Sequence, residues 1–234
     1  MIYSVHQPQY LPWLGFFDKL DRSDCFVFLD DVQYKHREFQ NRNKIRTKDG
    51  WIWLTVPVRE DHGIKIKELT IDSSRDWASV HLKSLESWYA RAPYFDKHIE
   101  FFRTFYAKKW LRLLDLNVAV IEYMLEALEI KKKIYFESAL AAGGEKTQRI
   151  INIGKKIGGN IYLSGSGGRE YLDESMFAKN GIELKYQDYT HPLYRQQFMN
   201  NSSEFIQFMS VIDLLFNEGD QSRSVIQGGG CHVS

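Results

Sequence analysis

His6-Gln7-Pro8-Gln9-Tyr10-Leu11-Pro12-Trp13 sets an imidazole, amides and two aromatic rings on a chain stiffened by two prolines. Proline fixes φ and removes a backbone donor, so such a loop holds its side chains in place. It follows the short apolar run Ile2 to Val5. A buried strand opening into this loop would present His6 as a base or phosphate donor and Gln7 as a contact for a phosphate or carboxylate. Tyr10 and Trp13 would line the wall.

Three further stretches carry chemistry. Asp30-Asp31 closes the next apolar run; the pair could hold Mg²⁺ while nucleotide phosphates complete the shell, or Asp30 could simply cap a strand end. In Gln40-Asn41-Arg42-Asn43-Lys44 the cations would neutralise phosphates and Asn41 and Asn43 would orient hydroxyls or amides. Gln33 and Gln40 extend that polar set, and a solvated surface loop is the ordinary alternative. Ser164-Gly165-Ser166-Gly167-Gly168 lies between an expected strand and helix, where glycines let backbone N–H groups approach a phosphate. It lacks the Walker and G-x-G-x-x-G spacings, and a tight turn is its alternative. Arg195, in His191-Pro192-Leu193-Tyr194-Arg195, offers another cation, and no G-x-S-x-G elbow occurs.

These groups need a frame. Trp13, Leu14, Phe16, Phe17 and Leu20 fall at helical spacing over 13–22, and Cys25 to Leu29 reads as a strand covered on both faces. Strand, helix and strand within so short a span is a βαβ unit, which implies a parallel sheet. Ligands then bind outside the carboxyl ends of the strands, where His6-Gln7 and Asp30-Asp31 fall. The expected fold is α/β: a Rossmann-like, mostly parallel sheet with helices on both faces.

Further along, strands are expected over 51–58 and 64–71. Helices are expected around Leu82 to Tyr89, after Pro93, and from Trp110 to Leu128, so a helical segment of about 75–130 is inserted or packed on one side. Lys131-Lys132-Lys133 reads as a solvated helix end. A helix through Ile150 to Ile157 ends at Gly158-Gly159, Ile161 to Leu163 is a strand, and a helix runs from the glycine-rich loop to about Lys179. Ile182 to Tyr186 alternates as a strand, and Ser210-Val211-Ile212-Asp213 resembles a capping box. Residues 1–222 are expected as one domain and 223–234 as a flexible tail.

Composition excludes several classes. The 234 residues carry 31 basic and 30 acidic side chains, net +1, so no global field draws the chain to nucleic acid or a membrane. Aromatic residues make up 15%, which serves core packing first and flat pocket walls second. Cys25 and Cys231 cannot by themselves build a disulfide framework or a four-ligand zinc site. With no signal-peptide pattern and no spanning window, the cytoplasm is the expected compartment.

Together, the His6–Trp13 loop, Phe28-Leu29-Asp30-Asp31-Val32-Gln33, Gln40-Asn41-Arg42-Asn43, Leu163–Gly168 and Ser210–Asn217 closely resemble the WbqC-like family, in order from about residue 2 to 219. That resemblance implies a role in O-antigen and related surface-polysaccharide synthesis. The start of the chain is also similar to pantothenate synthetases, adenylate-forming enzymes of the nucleotidylyltransferase-like class. Their later Ser-Ser-Arg-Asn-x-Tyr-Leu segment has a counterpart in Leu163 to Leu172. The H-x-G-H pair of that superfamily would fall near Leu11 and Leu14, which cannot donate to phosphate.

The expected function is therefore a transferase or ligase that activates a carboxylate or sugar phosphate with ATP or another nucleotide and Mg²⁺, for acylation of an amino sugar. His6, Gln7, Asp30 and Asp31 would be its catalytic residues. One alternative is a non-catalytic binder of a nucleotide-sugar or glycan. Another is a metal-dependent hydrolase or transferase using His6, Asp30, Asp31 and His36. Small-molecule partners are expected, with no nucleic acid and no membrane insertion, and homo-oligomerisation stays open.

Overall fold

The computed structural model describes residues 1–228. The chain begins with β1 (Ile2–His6), α1 (Leu14–Asp21) and β2 (Cys25–Phe28). It continues through β3 (Arg42–Thr47), β4 (Gly50–Thr55), β5 (Val58–Arg59) and β6 (Thr70–Ile71) to α2 (Trp77–Tyr89), α3 (Phe95–Ala107) and α4 (Leu113–Ala127). Then come β7 (Lys133–Phe136), α5 (Glu137–Leu140), α6 (Lys146–Ile157), β8 (Ile161–Ser164), α7 (Glu174–Lys179) and β9 (Glu183–Tyr186). Two helices follow, α8 (Val211–Glu218) and α9 (Ser222–Ile226).

The chain divides into two compact units. The first comprises Met1–Pro8, Phe16–Val32 and Lys131–Tyr189; the second comprises Gln9–Gly15, Gln33–Ile130 and Thr190 onward. The insertion between β2 and β7 is thus longer than the helical segment expected, because it includes the strands β3 to β6.

The first unit is built on a five-stranded sheet of order β7-β2-β1-β8-β9, with every neighbouring pair parallel. Helices cover both faces. Tyr3, Val5, Cys25, Val27 and Tyr162 form one core with Ile150, Ile151 and Ile153 of α6 and Phe177 of α7. On the other face Phe16 of α1 packs edge-on against Phe26, at 5.3 Å between centroids. Alternation along β1 and β2 divides the side chains between these two cores. The α6 core is tight: a Cβ on Gly154 would come within 2.4 Å of the Tyr3 hydroxyl, so a small residue is required there. Gly158 ends α6 at φ 74°, and Gly159 N–H bonds the Gly154 carbonyl at 2.8 Å.

The second unit carries the antiparallel hairpin β3–β4, closed by the two-residue loop Lys48-Asp49 and Gly50 at φ 133°. Its helical core centres on Phe216 of α8, which packs against Tyr89, Phe95 and Phe102.

Several expectations change. Lys133 opens β7 rather than ending a helix, and its Nζ lies over the Tyr135 ring. Arg42, Asn43 and Lys44, part of the polar run for which a surface loop was the alternative, lie in strand β3. Residues 64–71 form a 3-10 turn (Ile66–Glu68) and the two-residue β6 rather than one strand. The glycine-rich loop leads into a 3-10 turn (Ser166–Glu170), and α7 starts only at Glu174. Residues 223–226, expected in the tail, lie in α9 with Val225 and Ile226 buried. Cys231 falls outside the described residues, while Cys25 is buried in the sheet, its thiol pushed up by burial.

Candidate active site at the carboxyl edge of the parallel sheet

Because all five strands run parallel, their carboxyl ends meet at one edge: His6, Phe28, Phe136, Ser164 and Tyr186 are the last residues of β1, β2, β7, β8 and β9. The strand order reverses direction at the β1–β8 boundary, since β2 and β7 lie to one side of β1 and β8 and β9 to the other. In open α/β sheets the ligand crevice lies at this point. His6-Gln7 continues from the end of β1 and Ser164-Gly165 from the end of β8, one on each side of this point.

His6 is half-buried, edge-on to Phe16, with its Nδ1 2.9 Å from the Gln7 carbonyl. A carbonyl can only accept, so Nδ1 carries the hydrogen and Nε2 keeps its lone pair. Burial, aided by the charge of Lys19, lowers the imidazole to about 3. At neutral pH His6 is therefore an acceptor for a ligand O–H or N–H group, not a cationic phosphate donor. Lys19 is a residue the sequence reading missed. It is buried on α1, donates to the Val5 carbonyl at 3.2 Å, and is lowered to about 7 by burial. Its signal was available: a lysine three residues after Phe16 and next to Leu20 sits on the apolar stripe of that helix.

On the β8 side, Gly168 packs against Ser164, where a Cβ would come within 2.1 Å of the hydroxyl, so the turn after the strand is close-packed. Gly165 and Gly167 meet nothing within 4 Å on the side a Cβ would occupy, which leaves the backbone approachable there among the described residues. Arg169 stacks over Tyr186 at 4.0 Å. Gln187, just past β9, donates from its backbone to Ser164 and from its amide to the buried Asp18 at 2.6 Å.

At the β2 end the Asp30 carboxylate is engaged within the fold. Asp30 is buried, and Ser138 engages both of its carboxylate oxygens at 2.9 and 2.5 Å. It ties β2 to the first turn of α5, a capping arrangement rather than a metal ligand. The Asp31 carbonyl accepts from Arg149 of α6 at 2.9 Å, and the same guanidinium lies 3.5 Å from Glu137. Among the described residues no group of three or more His, Cys, Asp and Glu comes together to hold a metal ion. His36 pairs with Glu60 in the second unit, at 2.9 Å.

The remaining candidates lie in the second unit. Tyr10 is fully buried: its hydroxyl lies 2.9 Å from His81 Nδ1 and 2.5 Å from the Tyr106 hydroxyl, so it braces the interior instead of touching a ligand. Trp13 packs against Phe208 and His191. The expected amide contacts are internal too. Asn41 donates to the Val56 carbonyl and Asn43 to that of Leu11, whose φ of 47° this bond helps to hold. The Gln40 side chain accepts from Lys35 N–H and its carbonyl from Asn117. Alternation along β3 turns Arg42 and Lys44 outward, over Trp53 at 4.3 Å and Trp51 at 4.5 Å. Gln33 pairs with Lys65 in an isolated bridge, and Arg195 is exposed.

A WbqC-like protein family model matches residues 7–225, nearly the whole length. The chain belongs to the WbqC-like family. This WbqC-like chain is also 32% identical over 230 residues to "Uncharacterized protein Rv1507c" of Mycobacterium tuberculosis (strain ATCC 25618 / H37Rv), covering 96% of each. No solved structure matches it. Among its described residues no helix is long and apolar enough to cross a membrane.

Proposed function

We propose that this WbqC-like protein is a nucleotidylyltransferase-like enzyme of surface-polysaccharide synthesis, acting in the cytoplasm at the β1–β8 crevice. A carboxylate or sugar-phosphate oxygen attacks the α-phosphorus of a nucleoside triphosphate. The bond to the bridging oxygen breaks, and pyrophosphate leaves with the electron pair. The activated group then serves to acylate or extend an amino sugar.

One observation carries this reading: the reversal of strand order lies between the His6-Gln7 and Ser164-Gly165 ends. His6 Nε2 would accept a hydrogen bond from the substrate and Gln7 would orient the reacting oxygen. The open backbone at Gly165 and Gly167 would admit the phosphates. Lys19 is held poorly charged by its burial, and an incoming anion would restore its proton, placing a cation where negative charge develops. Any Mg²⁺ would arrive on the nucleotide phosphates, since Asp30 is committed to Ser138. The test is nucleotide-dependent pyrophosphate exchange with a panel of small acids and sugar phosphates. Exchange lost in His6→Ala and Lys19→Met supports the reading, and wild-type protein without exchange overturns it.

The competing reading is a non-catalytic binder of a nucleotide-sugar. Leu11 and Leu14, where the adenylate-forming enzymes carry their histidine pair, are fully buried here. Saturable nucleotide-sugar binding with no turnover would favour it.

A further inference from the structure

In the second unit a cavity of about 530 Å³ opens beside the hairpin turn and the end of α2. That volume lies within the range of small-molecule sites. Lys48, Arg91 and Arg195 line it, all exposed, and the described lining residues include no carboxylate. Glu218 stands next to Arg195 and takes its backbone N–H at 3.0 Å. The apolar wall is Trp88, with Phe198 edge-on to it at 6.2 Å and 83°. Phe198 is 41% exposed and sits at φ 63°, a left-handed backbone that a bulky residue adopts only when its surroundings enforce it.

The surroundings here are tied together by a buried polar network. Gln196 is buried at the base of the cavity, where its amide donates to Asp213 at 2.9 Å and to the Ile206 carbonyl and accepts from Ile206 N–H. Asp213 also accepts from Tyr89 and Tyr194. Arg46, buried beside this network, holds the Gln197 and Glu204 carbonyls on either side of the segment that carries Phe198. An exposed aromatic ring held in a strained conformation by a buried polar network, and faced by three cations, is arranged for a ligand rather than for solvent.

We propose that this cavity binds a phosphate ester bearing a ring with a face that can stack on an aromatic side chain, a sugar phosphate or a nucleotide, with the ring against Trp88 and Phe198 and the phosphate among Lys48, Arg91 and Arg195. The site belongs to the second unit and uses none of the residues assigned to the β1–β8 crevice.

Calorimetric titration of the full chain with glucose 1-phosphate, with ADP, and with their uncharged parents glucose and adenosine tests it. Binding of either phosphate ester, weaker for the parent and for inorganic phosphate, supports the proposal and identifies which source fits. Lys48→Ala/Arg91→Ala should weaken that binding by about tenfold or more, as expected for lost charge-assisted contacts. Phe198→Ala should weaken ester binding while leaving the inorganic phosphate response unchanged. In His6→Ala, which removes only the crevice contribution, a binding isotherm sensitive to the Lys48→Ala/Arg91→Ala change should remain, and this separates the two sites. No binding in the millimolar range, or binding lost in His6→Ala and retained in the double variant, overturns it. Both cations are exposed, and an unchanged thermal midpoint confirms that the variants are folded.

Discussion

Ser138 meets both carboxylate oxygens of Asp30, its backbone N–H at 2.9 Å and its hydroxyl at 2.5 Å. One residue at the start of α5 thereby fixes the end of β2 and the edge on which the crevice depends. Asp30→Ala leaves the Ser138 groups without their acceptor and should cost about 1–3 kcal/mol in urea unfolding. Ser138→Ala removes only the hydroxyl and should cost less. Any Mg²⁺ dependence of activity should survive in the folded fraction of Asp30→Asn; its loss would restore Asp30 as a ligand.

Ligand binding at the crevice should take up protons. Burial lowers free Lys19 to about 7, so its neutral form competes with the charged one near neutral pH, and an anion nearby raises it. Titration with nucleotide in buffers of different ionisation enthalpy should show uptake at pH 7, and Lys19→Met should abolish it. Proton release would contradict the assignment.

The second unit should lose stability in mild acid. His81 and His98 are each lowered to about 4 by burial, so below the ordinary value of 6.5 the unfolded chain binds protons that the folded one does not. Their contribution is complete above 6.5 and falls away as pH drops toward 4. Asp213 works in the opposite sense, because burial raises its carboxyl and the folded state takes up that proton first. Unfolding free energies from urea titration at pH 7 and 5 should differ by about 1–3 kcal/mol in favour of pH 7, with a smaller difference in His81→Gln.

Tyr10→Phe removes the hydroxyl between His81 and Tyr106, both buried, and should destabilise the protein by about 1–3 kcal/mol. A surface ligand role for Tyr10 predicts unchanged stability instead, so a denaturation curve decides between them.

Gly154→Ala drives a methyl group into the Tyr3 ring, and overpacking of this kind costs about 1–3 kcal/mol. Tyr3→Leu in the same background should recover part of the loss.

The sheet was legible in the sequence wherever strands were continuous apolar runs, as in Cys25-Phe26-Val27-Phe28 and Ile161-Tyr162-Leu163. β7 was hidden because Lys133 opens it at the sheet margin, where a charged side chain lies over Tyr135. β3 was hidden because its outward positions are Arg42 and Lys44 and its first inward one is Asn43, an amide that bonds a backbone carbonyl. Polar residue types could not reveal which amides face inward; only the partner carbonyls do. His6-Gln7 and Asp30-Asp31 were legible at one edge because a parallel sheet gathers its carboxyl ends. Lys19 and Ser138 stayed unseen because their roles come from burial and from contacts across 14 and 108 residues.

The central claim is that the β1–β8 crevice takes nucleotide phosphates. A crystal structure with a non-hydrolysable ATP analogue tests it most directly. The account predicts triphosphate density between His6-Gln7 and Gly165–Gly167; density found only elsewhere in the molecule would contradict it.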